Sequence, residues 1–220
     1  MRTRRANAGP PMAGRLPASR RDTLGRWAFL PVLLLLIPQP LPAQTQGSAH
    51  DFSAKSWSGG QICIVCHATH DANLSVQESP LWNHEVTSSS FIPYTSPTLD
   101  TVPGQPRGPS KLCLSCHDGV VAINSFGGMV GNEWVAGGAL IGTDLTNDHP
   151  ISIYWDHQTG ITACSGCHNV HLPSFTGELP FFGHHVECPT CHDVHAGSAY
   201  PKLVRKPLAG SQLCFHCHGK

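Results

Sequence analysis

Every cysteine of this chain belongs to one repeated word. The ten cysteines fall at 63/66, 113/116, 164/167, 188/191 and 214/217, always as C-x-x-C and always followed at once by histidine. The copies are Cys63-Ile-Val-Cys66-His67, Cys113-Leu-Ser-Cys116-His117, Cys164-Ser-Gly-Cys167-His168, Cys188-Pro-Thr-Cys191-His192 and Cys214-Phe-His-Cys217-His218. Residues i and i+3 share one face of a helical turn, so each pair of sulfurs can meet one edge of a planar ligand. The next residue, a histidine, then reaches that ligand's centre. C-x-x-C-H is the attachment signature of c-type haem: two thioethers to the porphyrin and a proximal imidazole on the iron. Zinc is a poorer reading, because four-ligand sites pair such motifs in twos and five does not divide that way. Disulfides suit an exported chain but leave the five histidines unexplained.

The composition agrees with a chain held by cofactors. It has 22 Gly and 19 Pro in 220 residues, with 13% charged and 40% hydrophobic positions. A coiled coil, a multi-span membrane protein and an ordinary α/β enzyme are all disfavoured. The expected fold is mostly irregular and loop-rich, with short helices at the motifs, organised as a multihaem cytochrome c around covalent haems. Residues 73–110 read as loop, and the glycine-rich stretch 119–142 as a short hairpin or a loop packed on porphyrin. With so little core, the chain without its cofactor is expected to be largely unfolded.

Residues 1–43 read as a secretory signal. Seven arginines lie within residues 1–26, followed by an eleven-residue apolar run, Trp27 to Ile37, and a small residue at Ala43. A membrane-spanning helix needs about 20 apolar residues, so cleavage after Ala43 is expected, with an uncleaved anchor as the alternative. Residues 44–220 then form one pentahaem domain, exported to the periplasm or the cell surface. That domain carries seven Lys/Arg against thirteen Asp/Glu, a net −6, which excludes electrostatic binding of nucleic acid.

Haem iron has a second axial position. Residues 44–220 contain one methionine, Met129, against ten histidines outside the motif positions, so histidine is the expected distal ligand throughout. His70, His171 and His195 each stand three residues after a motif histidine. Neighbours at that spacing share a helical face, so each is better placed to reach a neighbouring haem than its own. His149, stiffened by Pro150, and His50 complete the expected distal set. His84, His157, His184, His185 and His216 are reserves. The expected iron ligands are therefore His67, His117, His168, His192 and His218, opposed by His50, His70, His149, His171 and His195.

The order of these words resembles the doubled-CXXCH multihaem cytochromes c, and more closely the tetrahaem members that form extracellular filaments. The matching stretches are His50-Asp-Phe-Ser, Gln61-Ile-Cys-Ile-Val-Cys-His-Ala-Thr-His70, Pro80-Leu-Trp-Asn83, Pro93-Tyr-Thr-Ser96, Lys111-Leu-Cys-Leu-Ser-Cys-His-Asp-Gly119, Gly142-Thr-Asp-Leu-Thr-Asn-Asp-His-Pro-Ile-Ser152, Val186-Glu-Cys-Pro-Thr-Cys-His-Asp-Val-His195 and Leu213-Cys-Phe-His-Cys-His218. Against the tetrahaem pattern, Cys164–His168 with His171 looks like an inserted fifth unit. The resemblance implies electron transfer and a homopolymer in which His50 ligates a haem of the next subunit.

With both faces of every iron occupied, no site is open for bond-making chemistry. The expected function is one-electron transfer along five covalent haems, with other redox proteins as donor and acceptor and no catalytic residues. Two rivals stand beside it. A multihaem reductase of nitrogen or sulfur oxyanions needs one open iron, and a soluble periplasmic shuttle needs a monomer.

Overall fold

Each described C-x-x-C-H is wound as one helical turn. The backbone N–H of the motif histidine donates to the carbonyl of the first cysteine at His67 (2.8 Å to Cys63), His192 (3.0 Å to Cys188) and His218 (2.8 Å to Cys214). In the second copy the turn is the end of a longer helix, α1 (Gly108–His117). The computed structural model describes residues 45–97, 99, 102–155, 179–196 and 200–218, all within the unit Pro42–Lys220. Residues 1–43, read above as a secretory signal, and the copy at 164–168, with His157 and His171, lie outside the described residues.

The helix α1 starts where proline is tolerated, with Pro109 in its first turn. It stops at Asp118, whose N–H donates to Leu114 O at 2.8 Å. Gly119 follows with φ of +75°. A Cβ there would meet Leu140 Cδ1 at 2.5 Å, so this left-handed stop needs glycine. A second short helix, α2 (Cys188–Cys191), carries the fourth motif and packs on α1. The last copy is a 3-10 turn, Cys214–His216, and the first is a plain turn.

Regular strand is confined to one antiparallel pair among the described residues. β1 (Ile153–Tyr154) and β2 (His185–Val186) place Ile153 opposite Val186 and Tyr154 opposite His185. Trp155 stacks on Phe181 beside them, centroids 5.8 Å apart and 12° from parallel. Both ends of segment 156–178 are thus pinned side by side.

The stretch 119–142 is a loop. Ile123 N–H donates to Glu133 O at 2.6 Å, and Asn124 Oδ1 accepts from the N–H groups of Asn132 and Glu133. The side chain of Asn124 does here what a strand ladder would do in a hairpin. The described residues of 73–107 are irregular as expected, although α1 begins three residues inside the stretch read as loop. An N-terminal arm is tied to the 119–142 loop through Glu133, which accepts from Lys55 Nζ and Trp57 Nε1, both at 2.7 Å.

The apolar core is small. Phe91, Leu114 and Leu145 form its centre, with Ile151 packed against them. Cutting Leu114 to alanine at this point would cost about 2–5 kcal/mol. Among the described residues twelve hydrophobic side chains are buried while thirteen large ones stay exposed, so the polypeptide leaves much of its apolar surface uncovered. The fold is loop-rich, with its short helices at the motifs, as a multihaem cytochrome c requires.

Candidate cofactor sites

The motif histidines are held by main-chain carbonyls. Nδ1 of His67 lies 2.6 Å from Pro80 O, Nδ1 of His117 2.7 Å from Ala139 O, and Nδ1 of His192 2.8 Å from Lys202 O. A carbonyl only accepts, so in each ring Nδ1 carries the proton and Nε2 keeps its lone pair. That is the tautomer an iron-ligating imidazole needs, with its other nitrogen anchored in a second shell. His149 is set the same way, donating from Nδ1 to Pro150 O at 2.9 Å.

Three motif imidazoles face a second imidazole from a distant part of the chain. His67 stacks with His195 at a centroid separation of 6.0 Å. His117 faces His50 at 5.9 Å, and His218 faces His149 at 6.3 Å. A metal held between two ring nitrogens at about 2 Å each would set centroids about 6 Å apart. Burial, together with the imidazoles of His117, His192 and His195, lowers the His50 pKa to about 4. Burial also lowers that of His149. Both rings are therefore neutral and able to ligate at neutral pH.

The other histidines behave differently. His70 is 85% exposed and bonds to Asp71 Oδ2 at 3.1 Å; among the described residues no motif imidazole is set against it. The ring of His84 is buried, with Nδ1 2.8 Å from Glu85 O and Nε2 3.0 Å from Ala122 O, so both nitrogens are engaged. His184 and His185 sit against Tyr154, with Nδ1 of His185 2.5 Å from Arg107 Nη1. His216 donates to Gln212 O at 2.8 Å.

The cysteines converge. The Cys113 thiol hydrogen-bonds with that of Cys188, and this bond together with burial raises its pKa well above the usual thiol range. Burial pushes Cys66 and Cys191 up to about 11 and Cys116 to about 12. Cys116 feels Cys66, and Cys191 feels Cys214 and Cys217. The attachment points of four motifs therefore run side by side: 63/66, 113/116, 188/191, 214/217.

These residues fit haem c. Cys188, Cys191 and His192 line one cleft whose walls include Leu114, Leu145 and Ile151, an apolar seat for a porphyrin. Around His117 the exposed side chains include Val120, Trp134, Leu140 and Ile141, surface that a ring would cover. Two buried ring nitrogens, His50 Nδ1 and Trp82 Nε1, have no hydrogen-bond partner. Such orphans are costly, and the carboxylates of a porphyrin are acceptors of the kind they lack.

The carbonyls of Pro80, Ala139 and Lys202 carry no signal in the sequence, because any residue supplies one. The role of Glu187 was also missed; it is buried and immediately precedes Cys188.

Residues 182–220 match a family model described as the doubled CXXCH motif. No curated protein matches the chain. The matched span holds the last two motifs, and it supports a multihaem c-type cytochrome that binds haem covalently and transfers electrons.

Proposed function

We propose that this protein is an exported pentahaem cytochrome that carries electrons along bis-histidine haems, in the periplasm or outside the cell. When bound, haem supplies reversible one-electron chemistry at its iron. The chain would tether each ring by two cysteines, and at three motifs it brings a second imidazole opposite the motif histidine, an arrangement that would leave those irons no position for substrate. One observation carries this reading: His67 with His195, His117 with His50 and His218 with His149 are each about 6 Å apart, in pairs drawn from distant segments. The copy Cys164–His168, with His171 as a further distal candidate, is taken to bind the fifth haem.

Polymerisation belongs to the same proposal as an exchange of the N-terminal arm. In one chain His50 faces its own His117. The arm passed to a neighbouring copy would make the same contact between subunits, a low-cost domain swap that propagates when it does not close. Electron microscopy of concentrated protein tests this, since particles that stay monomeric count against it. EPR of the oxidised protein tests the electron-transfer reading: low-spin signals alone support it, and a high-spin or cyanide-binding iron favours the reductase.

A further inference from the structure

Glu187 stands immediately before the fourth motif and is 1% exposed. Glu187 lines the cleft that Cys188, Cys191 and His192 also line. Oε2 accepts from Ser152 Oγ at 3.0 Å, and Oε1 is buried with no donor in hydrogen-bonding geometry. A Cβ on Gly108 would lie 3.7 Å from Oε1, so the carboxylate sits at the start of α1 as well as at the start of α2. Helix N-termini favour negative charge. The backbone around it is fixed: Glu187 N–H donates to Thr190 Oγ1 at 3.0 Å and Cys188 N–H to Ser110 Oγ at 2.8 Å. Burial pushes its carboxyl above the usual range, opposed by the hydroxyls of Ser110 and Ser152 and by the Arg107 guanidinium.

A buried carboxylate with a spare oxygen is more than a helix cap needs. The Glu187 side chain caps α2 by accepting from the Thr190 N–H, but serine, threonine or asparagine would cap as well without burying a carboxylate. We propose that Glu187 is a positioning residue that sets the reduction potential of the haem on Cys188 and Cys191; this rests on the haem reading above. One-electron reduction lowers the charge of that site by one. A fixed negative charge beside it therefore favours the oxidised form and holds the potential down. The Arg107 guanidinium, which acts on the same carboxylate, offsets part of this.

Spectroelectrochemical titration of the holoprotein at about pH 8, above the carboxylate range, tests the proposal. Glu187→Gln keeps the shape and removes the charge; it is expected to shift one midpoint potential upward. Glu187→Asp keeps the charge and is expected to leave that potential near wild type. An unmoved potential in Glu187→Gln, or equal shifts in both variants, overturns the proposal. Should Glu187→Gln fail to mature, Arg107→Gln gives the opposite sign: the same potential falls, and a rise or no change overturns the proposal. Haem content and EPR are recorded alongside. Loss of haem from the wild type sinks the cytochrome reading, whereas intact haems with unmoved potentials sink only the role of Glu187.

Discussion

The imidazole of His195 stacks on that of His67, 23° from parallel, across 128 positions of sequence. His195 stands three residues after His192, which belongs to a different motif. In the proposed reading one short segment, Cys188–His195, offers the proximal ligand of its own haem and the distal ligand of another. That local spacing sets how closely two haems must lie.

The first prediction contrasts two histidines in the same local word. His195→Ala is expected to convert the iron of Cys63–His67, and not that of its own motif, from low to high spin. His70→Ala is expected to leave the spectrum unchanged, since His70 faces solvent and Asp71. EPR of both variants, with haem content checked by mass, measures the difference.

His149 answers a similar question at the other end of the chain. Removing it by His149→Ala opens the iron carried by His218, which it faces. The variant is expected to bind cyanide at one haem where the wild type binds none, read as a shift in the ferric absorption spectrum.

His84 should matter to stability and not to ligation. A neutral imidazole has one N–H to give, so His84→Leu leaves one of the two carbonyls beside its ring, Glu85 O or Ala122 O, without its donor, a loss of about 1–3 kcal/mol for a buried group left unpaired. Denaturant unfolding of the holoprotein is expected to shift accordingly, with an unchanged EPR spectrum.

Acid should loosen the N-terminal arm. The Lys55 ammonium and Trp57 indole that bond to Glu133 hold its carboxyl below the usual range. Its folded pKa is depressed, so its contribution is present above the unfolded value, about 4.3, and is lost as pH falls through the lower folded value. Hydrogen exchange across residues 50–58 is expected to speed up in that window, and Glu133→Gln to produce the same loosening at neutral pH.

The motifs and their one-turn geometry were legible because spacing is a local property: C-x-x-C-H winds as a helical turn in each of the four described copies. Which histidine opposes which iron was not. His67-Ala-Thr-His70 and His192-Asp-Val-His195 have the same spacing, yet one ends in solvent beside Asp71 and the other against a distant ring. Tertiary packing decides between them. His149 is expected as a distal ligand from its neighbours and His50 from its place near the start of the domain; the rings they face, His218 and His117, emerge only from the folded chain. The glycines of 119–142 suit a hairpin or a loop, and the loop forms because Asn124 closes it through its side chain. Glu187 was passed over because an acidic residue beside a motif ordinarily reads as solvated surface.

The central claim is that haem covalently occupies all five motifs. The intact mass of the exported protein, measured after alkylation under denaturing conditions, tests it most directly. The account predicts a coloured protein carrying five haem additions, with all ten cysteines closed to the alkylating agent. A colourless chain with alkylated thiols, or one carrying zinc or disulfides in place of haem, would contradict it.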